Sequence, residues 1–422
     1  MLNWLDWTHP LWGGAEVYLR ETSQRMASRG HEVTVLSSTY DGCVSDEVLH
    51  QVRVARRGKF WTYGLELPWH YHRLVRERGA LDAVLEYTNK VPLFSPLWAG
   101  RPVVAVAHHL WGRAIFAESP LPVATAVWAS EALIPLAYRH VPWLAVSPST
   151  RADLISRGIP ATSVTLAPNG IDPPSAETAP GTPDPHVPRV AWVGRVRRYK
   201  RLDLLLRAMA IVRRDVPGTI LDVVGDGPAL AEARALAAQI GLGTDAVTFH
   251  GTVTDAVRDR IVGRAWVLAQ PSLKEGWGRT VLEAGTMGVP SVVADSPGLR
   301  DAVVDGETGV VVNGSSPDDF ARAITGLLRD SAFRSRLGTG ARAYAGANGW
   351  DRTITATQRV LNPFIGSQQQ ANNTRRQVLH YYFSSLLRSI LPIRSNQHSD
   401  IVSSDYTNRP ARVGRPAPIL LA

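Results

Sequence analysis

The chain is poor in cysteine and lysine, has no long apolar run and carries no metal-ligand motif. Cys43 is the single cysteine among 422 residues, which excludes an internal disulfide and fits a reducing compartment. No stretch of about 18 apolar residues is available to span a bilayer. The start, Met1 to Asp6, is a short apolar stretch without the basic region and apolar core of a signal peptide. A cytoplasmic protein, neither exported nor transmembrane, is expected. There is no Asp-x-Asp at a strand end, no His-Glu-x-x-His and no cysteine cluster, so neither a magnesium nor a zinc site nor any other cofactor is expected.

What is there describes an ordinary globular protein, 45% apolar and 20% charged, and its length makes two domains the natural count. The net charge of +9 sits mostly at the end of the chain. From Pro363 to Ala422 seven arginines oppose Asp400 and Asp405, giving +5 and leaving +4 for the rest. So mild a body, with no dedicated binding motif, argues against a nucleic-acid partner. The excess of arginine over lysine points to a GC-rich bacterial genome. With only Lys59, Lys90, Lys200 and Lys274 present, each lysine carries weight.

Short β-branched runs alternate with helical patterns through the first half: 31–36, 52–55, 83–85, 103–107, 144–146 and 164–166. This alternation predicts a doubly wound parallel sheet, since parallel strands need crossover helices. Residues 172–188 hold six prolines and read as an extended linker. Alternation then resumes with strands at 190–193, 220–224, 247–249, 265–269 and 291–294. Leu202, Leu205, Leu206 and Met209 lie at helical spacing and are expected in the core. The resulting division is 1–171, a linker 172–188, 189–362 and a basic polar tail 363–422. Within the tail, residues 375–394 are apolar and flanked by arginines. Two readings stand: an interfacial helix touching the inner face of the plasma membrane, or a terminal helix packing back on the body.

Glu275 and Glu283 stand eight positions apart around a glycine-bearing turn, Gly276-Trp277-Gly278, that follows a strand and opens a helix. A strand, a glycine turn and a helix start present backbone N–H groups and a positive helix end to a diphosphate. Two carboxylates about two turns apart cannot share one hydroxyl, but each can accept from a different sugar. Arg195 directly after a strand and Lys200 at a helix start suit the charge of a leaving diphosphate. Gly13 and Gly14 before a helix suit an anionic group as well, either donor phosphates or the acceptor; the plain alternative is a tight turn.

Five pieces occur in one order: Gly13-Gly14-Ala15-Glu16, Gly30-His31-Glu32-Val33-Thr34-Val35, Pro168-Asn169-Gly170-Ile171-Asp172, Gly194-Arg195 with Lys200, and Glu275 to Glu283. On these the chain, over roughly residues 1 to 360, resembles the family 4 retaining glycosyltransferases. The resemblance implies the α/β GT-B fold, two Rossmann-like doubly wound domains facing across a cleft. The first would take the acceptor and the second the nucleotide sugar. It implies a nucleotide-sugar donor and a saccharide or lipid-linked acceptor, without a divalent ion. In this scheme Glu275 lies near donor sugar hydroxyls, Gly276, Trp277, Gly278, Arg279 and Thr280 supply main-chain contacts to the diphosphate, and Glu283 holds the ribose. Trp277 replaces the more usual Phe. His250, Gly251 and Thr252 would line the base pocket, with His250 alternatively a satisfied structural histidine. The strand 103–107 delivers His108 and His109 to the cleft. His108 is in register for the donor sugar, and the reverse assignment stays open. Glu86 and Lys90 either touch acceptor or pair with each other.

The activity implied is transfer of a hexose with retention, on the same face and within an ion pair, in cell-envelope or polysaccharide assembly. The alternatives are glycosylation of a small secondary metabolite, a GT-B nucleotide-sugar epimerase, and a non-catalytic nucleotide-sugar-binding partner subunit.

Overall fold

Both runs of strands become sheets in the computed structural model, which describes residues 1–79, 81–88, 91–173, 181–314 and 316–365. Lys90, residues 174–180 of the expected linker and the segment 375–394 lie outside the described residues.

The first half runs α1 (Gly14–Ser28), β1 (Thr34–Thr39), β2 (Asp46–Leu49), β3 (Val52–Lys59), α2 (Tyr63–Arg78), β4 (Val84–Thr88), β5 (Val103–Ala107), α3 (Leu121–Ala132), α4 (Ile134–Ala137), β6 (Trp143–Ala145), α5 (Pro148–Ser156) and β7 (Val164–Leu166). β1 pairs in parallel with β3, β2 lies antiparallel on the edge of β3, and β4-β5-β6-β7 are parallel neighbours in that order. The opening residues join these two groups. Leu2 bridges both Leu36 and Glu86; its N–H donates to Leu85 O at 2.7 Å, and Tyr87 N–H donates to its carbonyl at 2.9 Å. The apolar start is therefore a buried sheet element, with Leu2 and Leu5 in the core.

The second half runs β8 (Arg189–Val193), α6 (Leu202–Asp215), β9 (Ile220–Val224), α7 (Leu230–Gln239), β10 (Val247–Gly251), α8 (Asp255–Arg264), β11 (Val267–Gln270), α9 (Arg279–Thr286), β12 (Ser291–Ala294), β13 (Gly309–Val312), α10 (Pro317–Arg329), α11 (Ser331–Ala347) and α12 (Trp350–Leu361). Its strands are all parallel in the order β10-β9-β8-β11-β12-β13. That order reverses between β8 and β11, the place where such a sheet opens a crevice at its carboxyl edge. The stripe Leu202, Leu205, Leu206 and Met209 is buried against this sheet as the spacing predicts.

Two strands escape the sequence pattern. β2 begins Asp-Glu, residues depleted in strands, and survives as a half-exposed edge where charge also discourages edge-to-edge pairing. β13 is four residues long and follows a turn, too short to show a period.

The last helix returns to the first half. Trp350 packs edge-on against Tyr18 with ring centroids 5.8 Å apart, Ile171 N–H donates to Asn348 O at 3.0 Å, and the Thr353 hydroxyl donates to Pro168 O. Gly170 permits this seam, because a Cβ there would lie 2.4 Å from the Trp350 Cα. Gly170→Ala should therefore lower stability by about 1–3 kcal/mol through overpacking. Gly326, in α10 with open space around it, should gain up to about 1 kcal/mol as Ala. Denaturant midpoints check both; a Gly170→Ala midpoint equal to wild type would contradict the seam.

Candidate active site

The crevice at the switch point is shaped by glycines. After β8 the chain turns through Gly194 to Arg195, hard against the loop that follows β9. A Cβ on Gly225 would lie 2.0 Å from Gly194 O, and one on Gly227 would lie 2.4 Å from Val196 O. Backbone bonds from Gly194 N to Val224 O (3.0 Å) and from Val196 N to Asp226 O (2.9 Å) lock the two loops together. Their product is an exposed Arg195, with which no carboxylate pairs among the described residues. Partial burial, then neighbouring Arg197, push its guanidinium pKa down, opposed by Tyr199 and by Glu16 from the other half.

Lys200 and Glu275 come together. The ammonium donates to Glu275 Oε1, with side-chain exposures of 14% and 17%. Burial pulls the Lys200 pKa down, but Glu275 and Tyr199 outweigh it and the lysine is held above its ordinary value. The Glu275 turn is itself built on backbone contacts: Glu275 N–H donates to Pro297 O at 2.9 Å. Gly298, with φ +82°, leaves room for the Glu275 carbonyl, which a Cβ would approach to 2.2 Å.

Gly276 and Gly278 serve close approach more than open N–H groups. A Cβ on Gly276 would lie 2.8 Å from the His108 carbonyl, so this glycine brings the two sheet edges into backbone contact. Gly278 N–H is spent on Gly298 O at 3.1 Å, which takes it out of the expected diphosphate set. Trp277 is buried in the core beside Trp350 and Leu282, and its indole N–H has no partner. Thr280 Oγ1 accepts from Gln270 Nε2 at 3.2 Å, and the same amide donates to Val193 O at 2.7 Å, tying α9 to the ends of β8 and β11.

Glu283 lies elsewhere, in a cavity of about 230 Å³ bordered by Arg20, Asp172, Asp255, Arg258 and Trp350. It pairs with Arg279 at 2.8 Å and Arg258 at 3.8 Å. Glu275 and Glu283 thus engage different partners, Lys200 for the first and Arg279 with Arg258 for the second. A larger cavity of about 360 Å³, between Arg201, Ser272, Asp295 and Asn313, contains none of the residues expected at the site.

In the first half, His108 at the end of β5 is buried, edge-on to Tyr18 at 5.0 Å and stacked on Tyr87 at 6.2 Å. Burial, with His109 adding to it, lowers its pKa to about 3, so the ring is neutral. Its Nε2 is buried without a hydrogen-bond partner, an orphan of the kind a ligand satisfies. His109 is half-buried and edge-on to Trp111 at 5.0 Å. Gly13 caps α1, and its N–H donates to Glu16 Oε2 at 2.8 Å; that donor is spent. Gly14 is exposed with nothing within 4 Å of a would-be Cβ, which leaves the helix start open to an anion.

Three further side chains near the strand ends are engaged within the protein. Glu86 does not reach the cleft: it is fully buried and accepts from Leu93 N (2.8 Å), Ser95 N (3.0 Å), the Ser95 hydroxyl (2.5 Å) and the Tyr138 hydroxyl (2.5 Å). It is a clamp for the turn after β4. His250 Nε2 bonds Asp222 Oδ1 at 2.8 Å, and Asp222 also takes Arg189 at 2.8 Å. Its side chain is therefore structural, while Gly251 beside it, φ +68°, accepts from Gly225 N–H at 2.8 Å at the sheet edge. Lys274 Nζ donates to Leu110 O and lies 3.7 Å from Asp153, tying the halves together.

Sequence reasoning missed the other ties across the cleft. Glu118 accepts from Tyr199 N–H at 2.9 Å, one residue before Lys200, and Asp301 accepts from Ser149 N–H at 3.0 Å. Single acidic residues in loops carry no periodic signal; Gly298, in Ser-Pro-Gly, could have been flagged as a turn. Among the described residues no three His, Cys, Asp or Glu side chains cluster as metal ligands, and no helix is long and apolar enough to cross a membrane.

Comparison with known proteins agrees with this architecture. The family described as Glycosyltransferase Family 4 matches residues 12–175, and Glycosyl transferases group 1 matches residues 180–344. A D-inositol 3-phosphate glycosyltransferase of Thermomonospora curvata is 34% identical over 197 residues, 44% of this chain and 45% of the relative. One of Salinispora arenicola is 37% identical over 187 residues, 42% of each. The alignment thus spans less than half the length of these relatives. Sucrose-phosphate synthase from Thermosynechococcus elongatus superposes with a TM-score of 0.70 at 21% identity, covering 84% of this chain and 94% of that one. Anabaena HepE, in complex with UDP and glucose, superposes with a TM-score of 0.68 at 19% identity, covering 86% and 98%. These likenesses show the GT-B fold. The two family matches follow one another across most of the sequence, and the chain belongs to the family 4, group 1 glycosyltransferases.

Proposed function

We propose that the chain transfers a hexose, with retention, from a nucleotide diphosphate sugar to an acceptor hydroxyl, in cell-envelope or polysaccharide assembly on the cytoplasmic side. The observation that supports this reading is local: Glu275, whose carboxylate meets Lys200, precedes Gly276, which lies against the His108 carbonyl with no room for a Cβ, and a Cβ on Gly194, beside the exposed Arg195, would lie 4.0 Å from Lys200 Cε. Curated relatives act on a phosphorylated inositol by name, and HepE is described with UDP, so UDP-sugars are the first donors to try.

As the glycosidic bond breaks, negative charge builds on the departing diphosphate. Arg195 and Lys200 supply cationic donors at that end, in place of a divalent ion. Glu275, held by Lys200, accepts from sugar hydroxyls. His108 is neutral, so it contributes a hydrogen bond and not a proton transfer. Transfer then proceeds by same-face attack inside an ion pair, with Glu275 kept for hydroxyl binding and not as a nucleophile: the acceptor oxygen bonds the anomeric carbon as the phosphate oxygen leaves, and the phosphate takes the acceptor's proton. The ties through Lys274, Glu118 and Asp301 hold the halves closed and water out.

Radiolabelled UDP-sugars offered with bacterial envelope extract separate the possibilities. Labelled acceptor supports transfer; free sugar alone, an epimerised product or binding without turnover contradicts it. Arg195→Ala should lower kcat about 10²- to 10³-fold with a smaller change in donor affinity, read in steady-state kinetics; an unchanged kcat removes Arg195 from the site. Glu283→Ala should weaken nucleotide binding by calorimetry while Glu275→Ala spares the nucleotide and impairs turnover.

The buried His108 also sets a stability profile. Its folded pKa near 3 lies below the unfolded value of 6.5, so as pH falls below 6.5 only the unfolded chain takes up the proton and stability declines. By pH 5 this group should remove about 2 kcal/mol. Denaturant unfolding at pH 7 and pH 5 should show a steeper loss for wild type than for His108→Gln; equal losses contradict a neutral buried ring.

A further inference from the structure

The stretch after His108 presents an unusual surface. The chain passes from His108 through a short turn, Gly112–Ala117, into α3 and α4. Every outward-facing residue from Leu121 to Leu136 is apolar except Thr125, and the Thr125 hydroxyl is turned back onto Leu121 O at 2.8 Å. Leu121 is 69% exposed, Leu136 66% and Trp128 44%. A helix pair apolar on its outer side as well as its inner side is unlike the half-polar helix of a soluble surface, and a contiguous apolar patch of this kind marks a docking face.

Charge decides what covers it. Between residues 91 and 140 the only acidic residues are Glu118 and Glu131, and both face inward. Glu131 is 2% exposed and accepts from Trp111 N–H and Gly112 N–H at 2.6 and 2.8 Å; Glu118 is engaged by Tyr199 N–H. The outward charges in this stretch are Arg113 and Arg139, near the two ends of the face and both exposed. A second copy of the chain would set arginine against arginine with no carboxylate in this stretch to pair. A surface of anionic headgroups over hydrocarbon matches both features at once.

We infer that the outer face of α3 and α4 docks on an anionic lipid bilayer. Leu121, Trp128 and Leu136 enter the interfacial layer while Arg113 and Arg139 meet headgroup phosphates. Because Glu118, three residues before α3, contacts the donor-side loop at Tyr199, docking would place the crevice mouth at the membrane surface. An acceptor hydroxyl carried on a lipid would then reach it. Docking itself is independent of the sugar-transfer reading; only the acceptor's presentation rests on it.

The full chain, cosedimented with phosphatidylcholine vesicles with and without phosphatidylglycerol, tests this. Wild type should bind the anionic vesicles and lose binding as salt rises. Leu121→Glu/Leu136→Glu should bind at least tenfold less, and Arg113→Ser and Arg139→Ser about fivefold less each. UDP binding, measured alongside, should be unchanged in all variants, which shows that they fold and keeps the two readings separable. Wild-type binding that survives Leu121→Glu/Leu136→Glu overturns the inference and shifts attention to residues 375–394. So does wild type that ignores vesicles, or that self-associates through this face in light scattering.

Discussion

The two sheets meet where Gly276 lies against the His108 carbonyl with no room for a Cβ. From that contact the neighbouring positions take their roles. Lys274 is carried to Leu110 O and Asp153, Glu275 is carried to Lys200, and α9 is aimed at the end of β5. The approach is supported from behind by Gly298, whose left-handed conformation leaves space for the Glu275 carbonyl, and by Asp301, which holds Ser149 N–H across the cleft. A larger residue at either glycine would push these elements apart.

Buried polar groups are almost always satisfied, and the exceptions here include His108 Nε2, Trp277 Nε1 and Gln270 Oε1. Most charged groups near the crevice are spent on structure: Glu86 on the turn after β4, His250 on Asp222, Glu16 on the cap of α1, Arg258 and Arg279 on Glu283. Arg195 and the Nε2 of His108 are left over. They follow strands of different sheets, β5 and β8. Neutral imidazole is also the form suited to a sugar hydroxyl, and the burial that keeps it neutral comes from Tyr18 and Tyr87.

Much of this was legible in the chain. The β-branched runs pointed to the parallel sheets, because a strand buried on both faces, such as β5, reads as a continuous apolar run. Lys200 and Glu275 could be placed together because a strand end, a glycine turn and a helix start fix where side chains emerge. What stayed hidden depends on which face of a strand a residue occupies. Glu86 and His250 sit at strand ends that look functional, yet their side chains point into polar interiors. The opening residues read only as a short apolar stretch, too brief to show a period, although Leu2 joins the first sheet. The ties through Glu118 and Asp301 pair residues some 80 and 150 positions apart with no local signature.

The central claim is that the diphosphate of an activated sugar lies between Arg195 and Lys200, with the sugar under His108. A crystal structure of the full chain with UDP and a non-transferable UDP-sugar tests it most directly. The account predicts phosphate oxygens within hydrogen-bond distance of both cations and a sugar hydroxyl on His108 Nε2. Nucleotide found instead in the cavity between Arg201, Ser272 and Asp295, with Arg195 and His108 untouched, would contradict it.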